Sequence, residues 1–169
     1  MKHAAFLAIT ASVNLIILGC VATPQKYIAP TGVETAELND SAADSTDGTR
    51  PAVFVVDSID GQKIANALNS SRRIGSGFGT GLAPYLIARP VPAKPMRLHL
   101  IGVHVFRAPI EEIAANAAGR YRRIEGDLDI TLAPGKIYQV SGKLDADPAA
   151  IWIEDWATKE RVSSIIGAK

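Results

Sequence analysis

Residues 121–144 read YRRIEGDLDITLAPGKIYQVSGKL, and their alternation decides the fold. Ile124, Leu128, Ile130 and Leu132 recur at every second position, apart from Gly126, with charged residues between them. That period of two puts one apolar face on a half-solvated strand. The run closes at Ala133, Pro134 and Gly135, which are turn residues. IYQVSGKL then returns as a hairpin partner with Tyr138 and Val140 on one face.

The same grammar extends in both directions. AVFVVDSI (52–59) is β-branched and aromatic and stops at Asp60-Gly61, a pair suited to a tight hairpin. QKIANAL (62–68) is expected to return from it as a strand, although Ile64, Leu68 and the alanines also fit a helical face. MRLHLIGVHVF (96–106) reads as a long strand whose phase falters at Gly102; a bulge there, or burial of both faces, reconciles its halves. PIEEIAANAA (109–118) has a leading proline, Glu111 and Glu112 in its first turn and Gly119 after its end, the signals of one short helix. AIWIED (150–155) and RVSSII (161–166) supply further strands. The prediction is a mostly β chain: a single antiparallel β-sandwich of about seven strands with one short helix.

The first nineteen residues have a different composition. Lys2 and His3 precede an apolar stretch from Ala4 to Leu18, about 22 Å as a helix and short of the roughly 30 Å of a bilayer core. It reads as a cleaved leader, residues 1–19. Ile17-Leu18-Gly19-Cys20 resembles the lipobox of bacterial lipoproteins. The resemblance implies diacylglyceryl transfer to the Cys20 thiol, cleavage after Gly19 and acylation of the new amino terminus. Val21, not an acidic residue, follows the cysteine. By analogy with enterobacterial lipoproteins this favours the outer membrane, facing the periplasm, as the destination in the cell envelope. Residues 20–50 are rich in Thr, Ala, Ser, Asp, Gly and Pro and are expected to form a lipidated N-terminus and a disordered tether, with a typical span of roughly 30 Å and an extended reach of about 100 Å. The sandwich domain is then expected over 51–169.

Charge and cysteine content exclude several function classes. Removing Lys2 from the 18 basic residues leaves 17, equal to the 17 acidic ones, so neither nucleic acid nor an anionic membrane face is expected as a strong electrostatic partner. Cys20 is the single cysteine, which excludes an internal disulfide and a thiolate metal cluster. No cofactor is implied. The alternating Gly75, Gly77, Gly79 and Gly81 lack the strand, helix and lysine of a phosphate cradle, and Pro84, Pro90, Pro92 and Pro95 follow them closely.

Four segments, IDG (59–61), RPVPAKPMRLHLIG (89–102), LAPGKIYQVSG (132–142) and IWIED (151–155), occur in that order. Together they resemble small carboxypeptidase-regulatory-like or transthyretin-like β-sandwich domains of bacterial envelope lipoproteins. The resemblance implies a fold rather than a task.

Few residues offer chemistry. His99 and His104 lie five apart on one strand, on opposite faces unless a bulge intervenes, and lack further donors for a metal. Asp127 and Asp129 share a strand face about 7 Å apart, a spacing that glycoside chemistry uses, which raises a carbohydrate-active hydrolase as an alternative. No catalytic nucleophile is assigned. Arg72 and Arg73, with Arg120, Arg122 and Arg123 around Tyr121, form clusters able to hold an anionic envelope ligand. Trp152 alternates with Ile151 and Ile153, and Trp156 is a candidate contact for a protein partner. The leading expectation is a membrane-anchored envelope lipoprotein acting as a non-catalytic interaction or accessory module.

Overall fold

A computed structural model describes residues 24–44, 50–73, 85–106 and 109–167. Cys20 and the glycines at 75–81 lie outside them. The described elements are β1 (Thr35–Asn39), β2 (Ser41–Ala43), β3 (Ala52–Ile59), β4 (Gln62–Lys63), α1 (Ala67–Arg73), β5 (Ala88–Pro92), β6 (Met96–His104), α2 (Pro109–Ala117), β7 (Arg123–Ile130), β8 (Ile137–Lys143), β9 (Ala150–Asp155) and β10 (Ile166–Gly167). They build a mostly β protein of two five-stranded sheets. One runs β10-β9-β8-β1-β5; the other runs β2-β3-β6-β7, with β4 added on β3.

Local chemistry accounts for most of these boundaries. Asp60 and Gly61 take positive φ (49° and 79°) and close β3 onto β4. The return strand stops after two residues because Asn66 starts a helix instead. Its Oδ1 accepts the Asn69 N–H at 2.9 Å, while Asn69 Oδ1 accepts the Asn66 N–H at 3.0 Å, a reciprocal cap on α1. The fold thus has two helices among the described residues where one was expected. At the end of α2, Gly119 (φ 65°) lets its own N–H reach Asn116 O and the Arg120 N–H reach Ala115 O, a glycine C-cap.

The faltering phase of β6 has a physical cause. Register with β7 runs unbroken from Met96 to Val103, so no bulge occurs at Gly102; the irregularity lies on β3, between Val56 and Ser58. Both faces of β6 are buried in its second half. Leu98 and Leu100 join the core between the sheets, while Ile101 and Val103 join Val53, Val55 and Ala67 in an outer cluster covered by Leu68 and Tyr121.

Between the sheets, Phe54 occupies space left by two missing side chains. A Cβ on Gly102 would meet the Phe54 ring at 2.9 Å, and one on Gly142 would collide with that ring and lie 2.6 Å from Ala150 O. Gly102 stands in one sheet and Gly142 in the other, so the ring is held between them. Leu38, Val91, Tyr138, Val140, Ile151 and Ile153 pack from the facing sheet.

The tether assignment for 20–50 is corrected by the first two strands. β1 lies inside its sheet, antiparallel to β5 and parallel to β8, and β2 pairs with β3. The sandwich is therefore antiparallel except at β1–β8. The chain passes from one sheet to the other at Asp40, which is 2% exposed. Asp40 Oδ2 accepts from Arg89 Nη2 at 2.7 Å and from the Ala67 N–H at 2.8 Å; Oδ1 accepts the Val56 N–H at 3.2 Å. One carboxylate thereby joins β5, α1 and β3 at the crossing. Burial pushes the Asp40 carboxyl above its ordinary range, against the pull of Arg89 and the two backbone donors. Still earlier, Gln25 bridges Ile64 in parallel and its carbonyl accepts the Ala65 N–H at 2.7 Å, so the ordered domain begins well before residue 51.

Candidate functional site

The described side chains singled out in the sequence are not brought together in one site. Arg120, Arg122 and Arg123 follow α2. Arg123 is neutralised by Glu125, at 2.5 Å, and Arg122 Nη1 reaches Ala146 O at 3.4 Å. Arg50 Nη1 donates to the backbone carbonyl of Arg120 at 3.0 Å. Arg72 and Arg73 end α1. Leu68 of α1 and Tyr121 cover the same outer cluster of the β3-β6-β7 sheet, and the side chains of Arg72 and Arg73 lie outside the described ones.

The histidines part company. His104 is buried between the sheets, with Nε2 at 3.2 Å from Asp145 Oδ1. His99 is on the outer face, where its Nδ1 lies 2.7 Å from Asp127 Oδ1 and Arg97 Nη2 donates to Asp127 Oδ2 at 2.9 Å. The His99 and Arg97 bonds hold the Asp127 carboxyl below the usual carboxylate range. A glycosidic general acid needs the opposite shift. Asp129 lies on the same exposed strand face and lines a shallow depression with Asp60, Met96 and Arg97. Among the described residues no three His, Cys, Asp or Glu side chains are placed to hold a metal ion.

A more enclosed concavity among the described residues lies elsewhere, at the point where β1 leaves its sheet. Pairing of β1 with β8 ends at Asn39–Gln139, but β8 continues to Lys143. Beyond that point the β8 edge faces a notch of about 350 Å³ lined by Asn39, Ser41, Gln139, Ser141, Gly142 and Trp156, among others, with Phe54 at its core side. The Ser41 hydroxyl donates to the Val140 carbonyl across it.

A polar ladder crosses the outer face of the sheet beside the notch. Asn39, Gln139 and Glu154 are in register on β1, β8 and β9. Gln139 Nε2 donates to Glu154 Oε1 at 2.6 Å, and the Trp152 indole N–H donates to Glu154 Oε2 at 3.0 Å. Glu154, 8% exposed, is thus fixed by neutral donors. At the other end of the ladder Asn39 Oδ1 is buried and accepts no hydrogen bond among the described residues. Such an acceptor stays costly until a donor reaches it. Trp156 stands at the rim, 52% exposed, with the Lys159 ammonium 5.4 Å from its ring centre. Its orientation is set by the turn that follows β9, where Asp155 Oδ1 accepts the Ala157 and Thr158 N–H groups at 2.9 and 3.0 Å.

Trp156 is the one notch residue that sequence reading had proposed as a contact. Gln139 and Ser141 carry a usable signal, since uncharged polar residues alternate there with Tyr138 and Val140, and the next run brings Trp152 and Glu154. Asn39 carries none, because TAELN has no strand-like composition.

No protein-family model matches the chain, and comparison with curated proteins and with solved structures finds no match.

Proposed function

We propose that this protein is a lipid-anchored component of the bacterial envelope whose sandwich is a non-catalytic interaction module, and that a partner protein segment seats in the notch beside β8. The observation that carries the reading is the interrupted sheet: β8 outruns β1 and leaves strand edge, an unsatisfied Asn39 carbonyl and an exposed indole around one concavity. Extended segments are recognised by such edges through main-chain hydrogen bonds, with an aromatic anchor alongside. The anchor rests on the ILGC string at 17–20 and on a chain without other cysteines. No described helix is long and apolar enough to cross a membrane.

Two measurements test this. Labelling with a radioactive fatty acid should mark the wild type and not Cys20→Ser, and the variant should leave the membrane fraction; retention there overturns the anchor. A photocrosslinker placed at Ser141 in native membranes should give a discrete adduct that Trp156→Ala abolishes. Equal yields from Ser141 and from Glu125, on the opposite sheet, overturn the notch as the docking site.

A further inference from the structure

We propose that the surface around Lys26, Tyr27 and Ile28 lies against the bilayer, so that the sandwich is held in one orientation on the membrane instead of hanging from a long tether. This inference rests on lipidation at Cys20. Gln25 is already fixed to the domain by its bridge to Ile64 and by the Ala65 N–H bond to its carbonyl. Only five residues of reach separate Cys20 from Gln25, at most about 18 Å of extended chain. That keeps the end carrying Gln25 within about 18 Å of the lipidated cysteine, close above the headgroups.

The chemistry at that end suits the place. Ile28 is 82% exposed, and no other described large hydrophobic residue is as open. Tyr27 next to it is half-buried and packs on the core, which gives the apolar tip a rigid base. Lys26 is exposed beside it, and Lys63, on the β4 strand that leads into Ile64, has a side chain 73% exposed. An apolar tip flanked by ammonium groups and a tyrosine is the composition of a surface that sits at an anionic lipid interface. Asp60 and Asp57 temper the charge, since Lys63 reaches Asp57 at 3.3 Å. The apolar tip and the short reach therefore carry the argument, with the lysines in support. At the far end of the β3–β6 pair, His104 holds the loop after β8 through Asp145, so Lys143 marks the pole facing away from the lipid.

The test uses the full lipidated chain in vesicles of phosphatidylethanolamine and phosphatidylglycerol, with a spin label at Ile28→Cys or at Lys143→Cys. Mass spectrometry of the same samples establishes the acyl groups on Cys20. Position 28 should gain severalfold in exposure to membrane-dissolved oxygen and lose severalfold to a water-soluble nickel chelate, relative to position 143. Insertion of a long Gly-Ser linker after Ala22 should return position 28 to the values of position 143. Acylated protein in which the two positions behave alike overturns the orientation while leaving the anchor intact. Protein without acyl groups on Cys20 overturns the anchor and the orientation together.

Discussion

At the scale of single residues, Asp40 and Arg89 show how much one crossing point can concentrate. Removing a partner from a buried ion pair leaves a charge without compensation, which costs about 3–5 kcal/mol. Asp40→Ala also strips the acceptor from the Val56 and Ala67 N–H groups. It should lower the unfolding free energy from urea titration by an amount of that order, and far more than Lys136→Ala, whose contact with Asp155 is a loose 3.8 Å at the surface. The two glycines facing Phe54 give a separate expectation. Gly142→Ala forces the ring or the Ala150 carbonyl to move, so it should destabilise by about 1–3 kcal/mol, and Phe54→Leu in the same chain should return part of the loss. Asp127 supplies a pH dependence whose sign follows from its depressed carboxyl. Its contribution to stability is present above the ordinary value of about 4 and is lost as pH falls through the lower, folded-state value. Asp127→Asn should therefore be less stable than wild type at neutral pH, with the gap closing in acid, as thermal melts across that range would show.

Elements differ in how far their own residues specify them. AVFVVDSI, the Asp60-Gly61 turn, the paired runs on either side of Ala133-Pro134-Gly135 and the capped helix at 109–117 were legible because each carries its signal within a few residues. TAELN and SAA do not. Their strand conformation comes from partners far along the chain, and the acidic, alanine-rich composition that suggested a tether belongs to a strand whose Ala36 and Leu38 are buried by others. The candidate site was hidden for the same reason: a notch made by the departure of β1 is invisible until β1 is known to exist, and only Trp156 announced itself. Deletion of residues 35–44 distinguishes the two views. Loss of a tether would leave the melting transition unchanged, whereas loss of the strand between β8 and β5 should abolish cooperative unfolding by circular dichroism.

For the whole molecule, the proposed lipid on Cys20 would lie within about 18 Å of Gln25, which is bridged to Ile64 of the domain. The crossing at Asp40 also has a consequence in time. Ser41 and Val140, which meet across the notch, are 99 residues apart in the chain. A polypeptide emerging amino-terminus first delivers β1 long before β8 exists to receive it, and closing so large a loop is slow because its entropy is spent before any contact repays it. Chains arrested on the ribosome at Pro134 should accordingly remain open to protease within 35–43, and full-length chains should resist it there. The last third of the sequence thus acts as the latch for the first, so the fold stays unlocked until nearly all of the chain has been made.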